Sequence, residues 1–159
     1  MILEYRGESV PLASGGALSI PENVFLLGTM NTADRSIARM DHALRRRFAF
    51  VRLDPRYDVL SERLVASGVS NERANALQGV LQALNQQIGD GNFAVGISYF
   101  MPLATSGESV GARLADVWQH EVEPYLAEYF HDDPEAAGKF AWAKLARKDG
   151  LLSAWAPAL

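Results

Sequence analysis

Apolar residues recur at helical spacing through the second half of the chain. From Asn71 to Ile88 they fall on one side, which predicts an amphipathic helix that ends at Gly89. Residues 57–67 have the same period and are predicted to form a shorter helix that stops at Gly68. The predicted buried face of the longer helix consists of Ala74, Leu77, Leu81, Leu84 and Ile88.

A third helical pattern runs from Glu108 to Phe130 and contains Pro124. Because the ring of a proline displaces a backbone hydrogen bond, this helix must be kinked or divided there. A last helix is predicted to begin at Asp133, an N-cap residue, and to run to about Lys148, with Gly150 as its C-cap. The apolar stripe of the third helix consists of Leu114, Val117, Trp118, Tyr125, Leu126 and Tyr129.

The beginning of the chain has a different pattern. Residues 8–20 predict a hairpin in which Gly15 and Gly16 supply the positive φ angles of a tight turn. Short apolar runs at residues 23–29 and 48–53 predict two strands, the first of them buried. The chain is therefore predicted to combine an α/β part with an all-α part. The predicted divisions are residues 1–55 for the α/β part, residues 56–150 for a small helical bundle and residues 151–159 for a C-terminal tail.

Composition narrows the class of protein. The chain has 159 residues, of which 48% are hydrophobic and 21% charged, as in globular proteins. Its formal net charge of −4 argues against a free-standing nucleic-acid binder. The absence of cysteine excludes disulfides and thiolate metal sites and makes a cytoplasmic location the default. No apolar run approaches the roughly 20 residues of a membrane span, so no membrane association is expected.

A polar cluster follows the first predicted buried strand. Asn31 and Thr32 stand just beyond the end of that strand, where open α/β sheets bind ligands. Three adjacent arginines, Arg45, Arg46 and Arg47, follow on a predicted short helix. A guanidinium group can stabilise a phosphate that gains charge in the transition state. The pattern therefore indicates chemistry on a phosphate.

Residues 28–35 and 41–48 together resemble the sensor 1 and arginine-finger segment of McrB-type AAA+ proteins. These are the nucleotide-driven motor subunits of methylcytosine-specific restriction systems. The resemblance implies that Asn31 hydrogen-bonds the γ-phosphate or the attacking water. It also implies an arginine finger that reaches the nucleotide of the neighbouring subunit, and our order of preference is Arg46, then Arg47, then Arg45.

Three residues near Asn31 are weaker candidates. Thr32, Asp34 and Arg35 lie in the same motif, and the resemblance implies a role in nucleotide binding or at the subunit interface. The last two stand where the family has the same pair, which could couple the nucleotide to that interface. A local ion pair between Asp34 and Arg35 is the alternative interpretation.

The stretch from Phe93 to Phe100 is short and apolar and is expected to be extended. Within it, Gly96 and Ser98 belong to a sequence that resembles a lid motif of the same family. The family commonly has a histidine at the position of Ile97, so no polar role is expected for that side chain here. A packed lid segment without a sensor 2 function is the alternative interpretation.

The resemblance implies a partial AAA+ P-loop NTPase module. The sequence contains neither a Gly-x-x-x-x-Gly-Lys-Ser/Thr loop nor a Walker B run. We therefore expect the chain to be the C-terminal part of such a module and not to hydrolyse nucleotide alone. The complete protein is expected to use GTP or ATP with Mg²⁺ and to form a homo-oligomeric ring, a hexamer by resemblance. Its expected partners are a nuclease subunit of McrC type and DNA, contacted through an N-terminal domain.

Other interpretations stay open at this point. The chain could be a non-catalytic fragment that docks on an AAA+ ring or self-associates through exposed strands. Residues 107–111 match the Gly-x-Ser-x-Gly elbow of hydrolases, but the residues before them are typical of a loop rather than the required strand. His120 and His131 lack the His-Glu-x-x-His spacing of a zinc site, so no metal is expected.

Overall fold

The computed structural model describes residues 7–30, 46–105 and 110–155. Within these ranges the chain is mostly helical and has one small two-stranded sheet. Contacts divide the chain into two compact units between Arg52 and Leu53. The first unit contains the sheet, and the second contains the helices.

The sheet is a hairpin. Strands β1 (Ser9–Pro11) and β2 (Ala17–Ser19) are antiparallel, with Val10 opposite Leu18. Gly15 and Gly16 have φ angles of 87° and 83°, which glycine adopts without the steric cost that a side chain would bring. The hairpin predicted for residues 8–20 and the role of its two glycines are confirmed.

The two strands predicted at residues 23–29 and 48–53 are absent from the structure. The described residues of both runs lie outside helix and strand. Their apolar side chains face solvent, with exposed fractions of 87% for Phe25, 98% for Leu27 and 91% for Leu53. A strand exists only when a neighbouring strand pairs with its backbone, and the described residues provide no such neighbour for either run. The prediction was wrong because apolar composition indicates burial but does not supply a partner.

The first two helices of the second unit lie where the period predicts them. Helix α1 spans Tyr57–Ala66, and helix α2 spans Asn71–Ile88. The Ser70 hydroxyl caps α2 by accepting a hydrogen bond from the backbone N–H of Arg73 at 3.3 Å. Gly89 ends α2 with a left-handed φ of 70°.

The apolar face of α2 is buried as predicted. All five predicted positions have exposed fractions of 6% or less. They share one core with Leu60 and Leu64 of α1. Burial of such side chains stabilises a fold by roughly 1.5–3 kcal/mol each. The core of this unit therefore begins with a packed pair of helices.

Pro124 divides the third helix, as the sequence predicts. Helix α3 (Val110–Val117) passes through a π-helical turn (Trp118–Val122) into α4 (Glu123–Tyr129). The backbone N–H of Glu123 donates to the carbonyl of Trp118, five residues earlier. The next residue is the proline, which has no N–H to continue the α-helical pattern, so the wider turn takes up the irregularity.

The last helix is much shorter than predicted. Asp133 is its N-cap, as expected, and accepts a hydrogen bond from the N–H of Ala136 at 3.1 Å. However, α5 ends at Gly138 (Pro134–Gly138), and a separate turn, α6, spans Trp142–Leu145. The carbonyl of Phe140 accepts the indole N–H of the buried Trp118 at 2.8 Å, so the chain leaves the helix to meet this partner.

Gly150 is not the C-cap of a long helix. Its φ is not positive, and a Cβ at this position would collide with the carbonyl oxygens of Leu145 and Lys144. Glycine is therefore needed here because the chain passes close to the end of α6. The prediction is corrected from a helix terminus to a point of close backbone approach.

The predicted C-terminal tail is partly core. Residues Ser153–Trp155 form a 3₁₀ turn, and the side chains of Leu152 and Trp155 are completely buried. The prediction of a tail from residue 151 is therefore wrong for these two residues. A tail was predicted because nine residues after a glycine show no helical period, and burial against distant residues leaves no such signature.

Candidate functional site

The structure describes some of the predicted site residues but not all of them. Arg46 and Arg47 lie in a turn, where Arg46 is exposed and Arg47 is half-buried. The two residues thus differ in access to other molecules. The other predicted residues of the sensor and finger motifs, Asn31, Thr32, Asp34, Arg35 and Arg45, lie outside the described residues.

Gly96 and Ser98, the predicted lid motif, lie in the loop between α2 and α3. Gly96 precedes a 3₁₀ turn that spans Ile97–Tyr99, and a second such turn spans Met101–Thr105. The expected extended conformation of residues 93–100 is therefore wrong. The side chain of Ser98 is exposed, whereas Ile97 is half-buried against the core. We call residues 89–100 the lid loop.

Asn85 holds the middle of the lid loop. Its side-chain oxygen accepts the backbone N–H of Val95 at 2.7 Å, and its side-chain nitrogen donates to the carbonyl of Val95 at 2.9 Å. The same nitrogen lies 2.7 Å from the hydroxyl of Tyr57 at the start of α1. One amide thus pairs with both peptide groups of Val95, as an adjacent strand would.

Two tyrosines of α4 hold the last residue of α2 and the first part of the lid loop. The hydroxyl of Tyr125 donates to the carbonyl of Phe93 at 2.5 Å, and that of Tyr129 donates to the carbonyl of Ile88 at 3.0 Å. The ring of Tyr129 also lies 5.3 Å from the ring of Phe93, within the range of favourable aromatic pairs. Helices α2 and α4 are therefore linked through the loop backbone.

The far end of the lid loop is fixed by burial. Phe100 is completely buried, and its ring lies 5.8 Å from the ring of Trp118 in the π-helical turn. Between this anchor and Val95 stand Gly96, Ile97, Ser98 and Tyr99. The lid motif is thus a short turn with both ends attached to the core and with Ser98 exposed between them.

The sequence analysis missed the residues that position this turn. Asn85 stands beside the apolar face of α2, four residues after Leu81, and a half-buried amide at the edge of a buried face needs hydrogen-bond partners. That is a weak signal, and it does not reveal the partner. Tyr57 and Tyr125 carry a similar signal, since a half-buried tyrosine hydroxyl usually has a partner.

We expect replacement of Tyr125 by phenylalanine to destabilise the helical unit in a pH-dependent way. Burial raises the pKa of Tyr125 to about 12, and an exposed tyrosine titrates near 10. The folded state therefore holds this proton more tightly than the unfolded state. The contribution of the protonated Tyr125 hydroxyl to the free energy of unfolding is complete below pH ~10 and is lost as the pH rises through the folded pKa. At pH 8 the variant should lose about 1 kcal/mol for the missing hydrogen bond.

Urea denaturation of the chain and of Tyr125→Phe at pH 8 and near pH 11 measures this effect. The difference in free energy of unfolding between the two proteins should shrink at the higher pH. Because the two proteins differ by a single hydroxyl, the comparison at each pH isolates the contribution of that hydroxyl. A difference that stays constant with pH would contradict the expectation.

Neither the hydrolase-like elbow nor the histidine metal site considered in the sequence analysis is assembled in the described residues. Gly111 lies on α3, and a Cβ there would stand 2.7 Å from the carbonyl oxygen of Trp155, so this glycine serves packing. The residues before the hydrolase-like match form a 3₁₀ turn rather than a strand, and residues 107–109 lie outside the described ranges. His131 contacts the carboxylate of Asp132 at 3.0 Å, and both side chains are exposed.

The helical unit corresponds to a known lid domain. A family model described as the alpha-helical lid domain of McrB matches residues 76–138, from within α2 to the last residue of α5. This match defines the class of that part of the helical unit: residues 76–138 are an McrB-type lid that carries the loop described above. Within the described residues, no helix is both long and apolar enough to cross a membrane.

A comparison with characterised proteins extends the match beyond the lid. The chain is 38% identical over 152 residues to the "Type IV methyl-directed restriction enzyme EcoKMcrB subunit" of Escherichia coli strain K12. The aligned region covers 84% of this chain and 33% of that protein, so the chain spans about a third of the length of its relative. The chain is an McrB-related protein, and the resemblance stated from the sequence is confirmed.

Proposed function

We propose that this chain supplies the sensor 1, arginine-finger and lid elements of an McrB-like AAA+ NTPase. The observation that carries the proposal is the 38% identity to an McrB subunit over 152 residues, far more than the lid match alone. Because that alignment covers 84% of the chain, it extends well outside residues 76–138. The alignment therefore joins the lid to segments that precede it in the chain, as expected of a nucleotide-driven motor.

In this proposal the reaction is hydrolysis of GTP or ATP, assisted by Mg²⁺. Asn31 orients the attacking water or the γ-phosphate through its amide, which adds no charge. Arg46 reaches the nucleotide held by the neighbouring subunit and stabilises the charge that develops on the transferred phosphate. Its exposure supports this role, since a finger must extend away from its own chain. Thr32, Asp34 and Arg35 connect the nucleotide to the subunit interface.

The proposed assembly is a homo-oligomeric ring, with active sites between subunits. The rest of the site, the Walker A and Walker B elements, belongs to another segment of the complete protein. The relative is named as a subunit of a methyl-directed restriction enzyme, which supports a restriction complex as the setting. A nuclease subunit of McrC type and a separate DNA-contacting domain are the partners that we propose.

The test is a chimera in which this chain replaces the corresponding third of the E. coli relative. We expect the chimera to hydrolyse GTP or ATP, whereas the isolated chain should not. In the chimera, Asn31→Ala should lower turnover by about 10²–10³-fold, the cost of a lost transition-state donor in other enzymes. Circular dichroism should show that the variant keeps its helices, because the lid does not include residue 31.

Two outcomes would contradict the proposal. Turnover by the isolated chain, if it disappeared in Asn31→Ala, would mean that the chain has its own phosphate site. A hydrolytic chimera that tolerated Asn31→Ala would show that the motif does not act as a sensor. Gln82→Ala, at an exposed polar position of α2, provides a matched control that should keep full turnover.

One observation favours a second function. Phe25, Leu27, Val51 and Leu53 are between 82% and 98% exposed, which is unusual for large apolar side chains. A non-catalytic fragment that docks on an AAA+ ring or self-associates would cover them. Sedimentation velocity of the isolated chain distinguishes the interaction role from the NTPase role. Stable oligomers that disperse in Leu27→Asp would favour the interaction role.

A further inference from the structure

We propose that Asn85 is a positioning residue for the lid motif. Its side-chain amide holds the backbone of Val95 and so fixes where Gly96 and Ser98 stand in the lid. The effect on catalysis that follows from this inference rests on the proposed function. The structural part of the inference rests only on the contacts of the lid itself.

The first step is that the peptide groups of Val95 have no regular partner. Val95 lies between two 3₁₀ turns, Gly91–Phe93 and Ile97–Tyr99, and belongs to neither helix nor strand. Its side chain is buried, with an exposed fraction of 2%, so its backbone lies at the edge of the core. Buried peptide groups need partners, and Asn85 provides both an acceptor and a donor at 2.7 and 2.9 Å.

The second step is that this pairing defines one loop geometry. Two antiparallel hydrogen bonds from a planar amide fix the orientation as well as the distance of a peptide, as in a bidentate pair. Asn85 is held in turn, because its nitrogen also lies 2.7 Å from the hydroxyl of Tyr57. The hydroxyl of Tyr57, at the start of α1, therefore holds the amide in the orientation that pairs with Val95.

The third step concerns which residues move when the pairing between Asn85 and Val95 is lost. The residue after Val95 is Gly96, the first residue of the lid motif, and the exposed Ser98 follows two residues later. The other end of the turn is anchored by the buried Phe100. A change at Val95 therefore displaces Gly96 and Ser98 and leaves the core anchor in place. Asn85 does not itself reach solvent-exposed ligand positions, so it acts through the loop.

In the NTPase, a displaced lid motif weakens nucleotide binding in the ground state and the transition state alike. Loss of such uniform binding raises KM and leaves kcat nearly unchanged. A merely structural loss would instead lower the amount of active enzyme, which reduces kcat at constant KM. The split between KM and kcat thus separates a positioning role from a stability role.

The experiment has two parts, and the first uses the isolated chain without nucleotide. Amide hydrogen exchange at Val95 should be about fivefold faster or more in Asn85→Ala than in the unchanged chain, since one net hydrogen bond is lost. Gln82→Ala is the matched control: it truncates an exposed side chain of the same helix and keeps the pair between Asn85 and Val95, and exchange at Val95 should stay within about twofold. Unchanged exchange in Asn85→Ala would overturn the inference.

The second part measures nucleotide hydrolysis by the chimera with the same substitutions. Asn85→Ala should raise KM about tenfold with kcat within about twofold, whereas Gln82→Ala should change neither by more than about twofold. Faster exchange with an unchanged KM would overturn the positioning role in catalysis. A chimera without any activity would refute the proposed function, and the exchange data alone would then decide whether Asn85 holds the loop.

A second variant covers failure of Asn85→Ala to fold. Asn85→Asp keeps the acceptor for the Val95 N–H but replaces the donor by a carboxylate oxygen, which repels the Val95 carbonyl. It should show an intermediate rate of exchange and an intermediate KM. Exchange and KM equal to those of the unchanged protein in this variant would also overturn the inference.

Discussion

Simultaneous replacement of Leu152 and Trp155 by alanine is expected to unfold the helical unit. Both side chains are completely buried at the end of the described chain. Replacing a buried leucine by alanine costs about 2–5 kcal/mol, and a buried tryptophan about 3–5 kcal/mol. The sum is comparable with the whole stability of an average domain, about 5–15 kcal/mol.

Trp155 contributes more than its apolar surface. Its indole N–H donates to the carbonyl of Arg73 at 2.8 Å, and the guanidinium of Arg73 donates to the carbonyl of Ala154 at 2.7 Å. The same guanidinium stands 5.9 Å from the centre of the indole ring. On the other side, the carbonyl of Trp155 approaches Gly111 so closely that a Cβ would not fit. The C-terminal turn therefore joins the first turn of α2 to α3.

Thermal and urea denaturation of the whole chain, followed by circular dichroism, measures the expected loss. Leu151→Ala is the matched control, because this neighbouring leucine is 64% exposed and its loss should change stability by less than about 0.5 kcal/mol. The loss of stability in Trp155→Phe should lie between the losses in the double variant and in Leu151→Ala. Phenylalanine keeps an aromatic ring but cannot make the hydrogen bond to Arg73. A double variant that unfolds with the same midpoint as Leu151→Ala would refute the assignment of these residues to the core.

Replacement of Arg46 by alanine is expected to lower nucleotide turnover in the assembled chimera by about 10³-fold or more, the usual cost of a lost arginine finger. The charge that develops on the transferred phosphate then lacks its partner, and no neutral side chain can replace it. Arg46 is preferred over Arg47 because it is exposed, whereas Arg47 is half-buried. Arg47→Ala should therefore have a smaller effect on turnover and a larger one on stability.

Mixed assemblies test whether the finger acts in trans. Subunits with Arg46→Ala keep their own Walker elements, and subunits with a defective Walker A keep their arginine. Each alone should be inactive, and mixing them should restore part of the turnover. Arg113→Ala, at an exposed arginine of α3, is the matched control and should leave turnover unchanged. Full activity of Arg46→Ala, or failure of the mixture to recover any, would remove Arg46 from the role.

The helices of the second unit could be predicted because their signal is local. The period of apolar residues placed α1 and α2, and Gly89 and Asp133 act at the helix ends as predicted. The division of the third helix followed from the chemistry of one proline. The resemblance to the family was stated from the order of residues 28–48, and the match to an McrB subunit confirms it at the level of the family.

The errors share a physical cause, which is dependence on a partner distant in sequence. The apolar runs around Phe25 and Val51 resemble strands, but a strand also requires a neighbour. The last helix breaks after Gly138 because the carbonyl of Phe140 pairs with Trp118, more than twenty residues before it. Nothing in the sequence around residue 140 indicates this pairing.

The sequence by itself determined the helical periods, the turn glycines and the kinship with McrB proteins, because all of these are properties of neighbouring residues. Only the tertiary structure decided how the lid loop is held and where the chain's last turn packs. Asn85 meets Val95 ten residues away, and Trp155 meets Arg73 eighty-two residues away. Hydrogen bonds of this kind depend on where whole helices come to lie, and that placement is the result of packing the entire core.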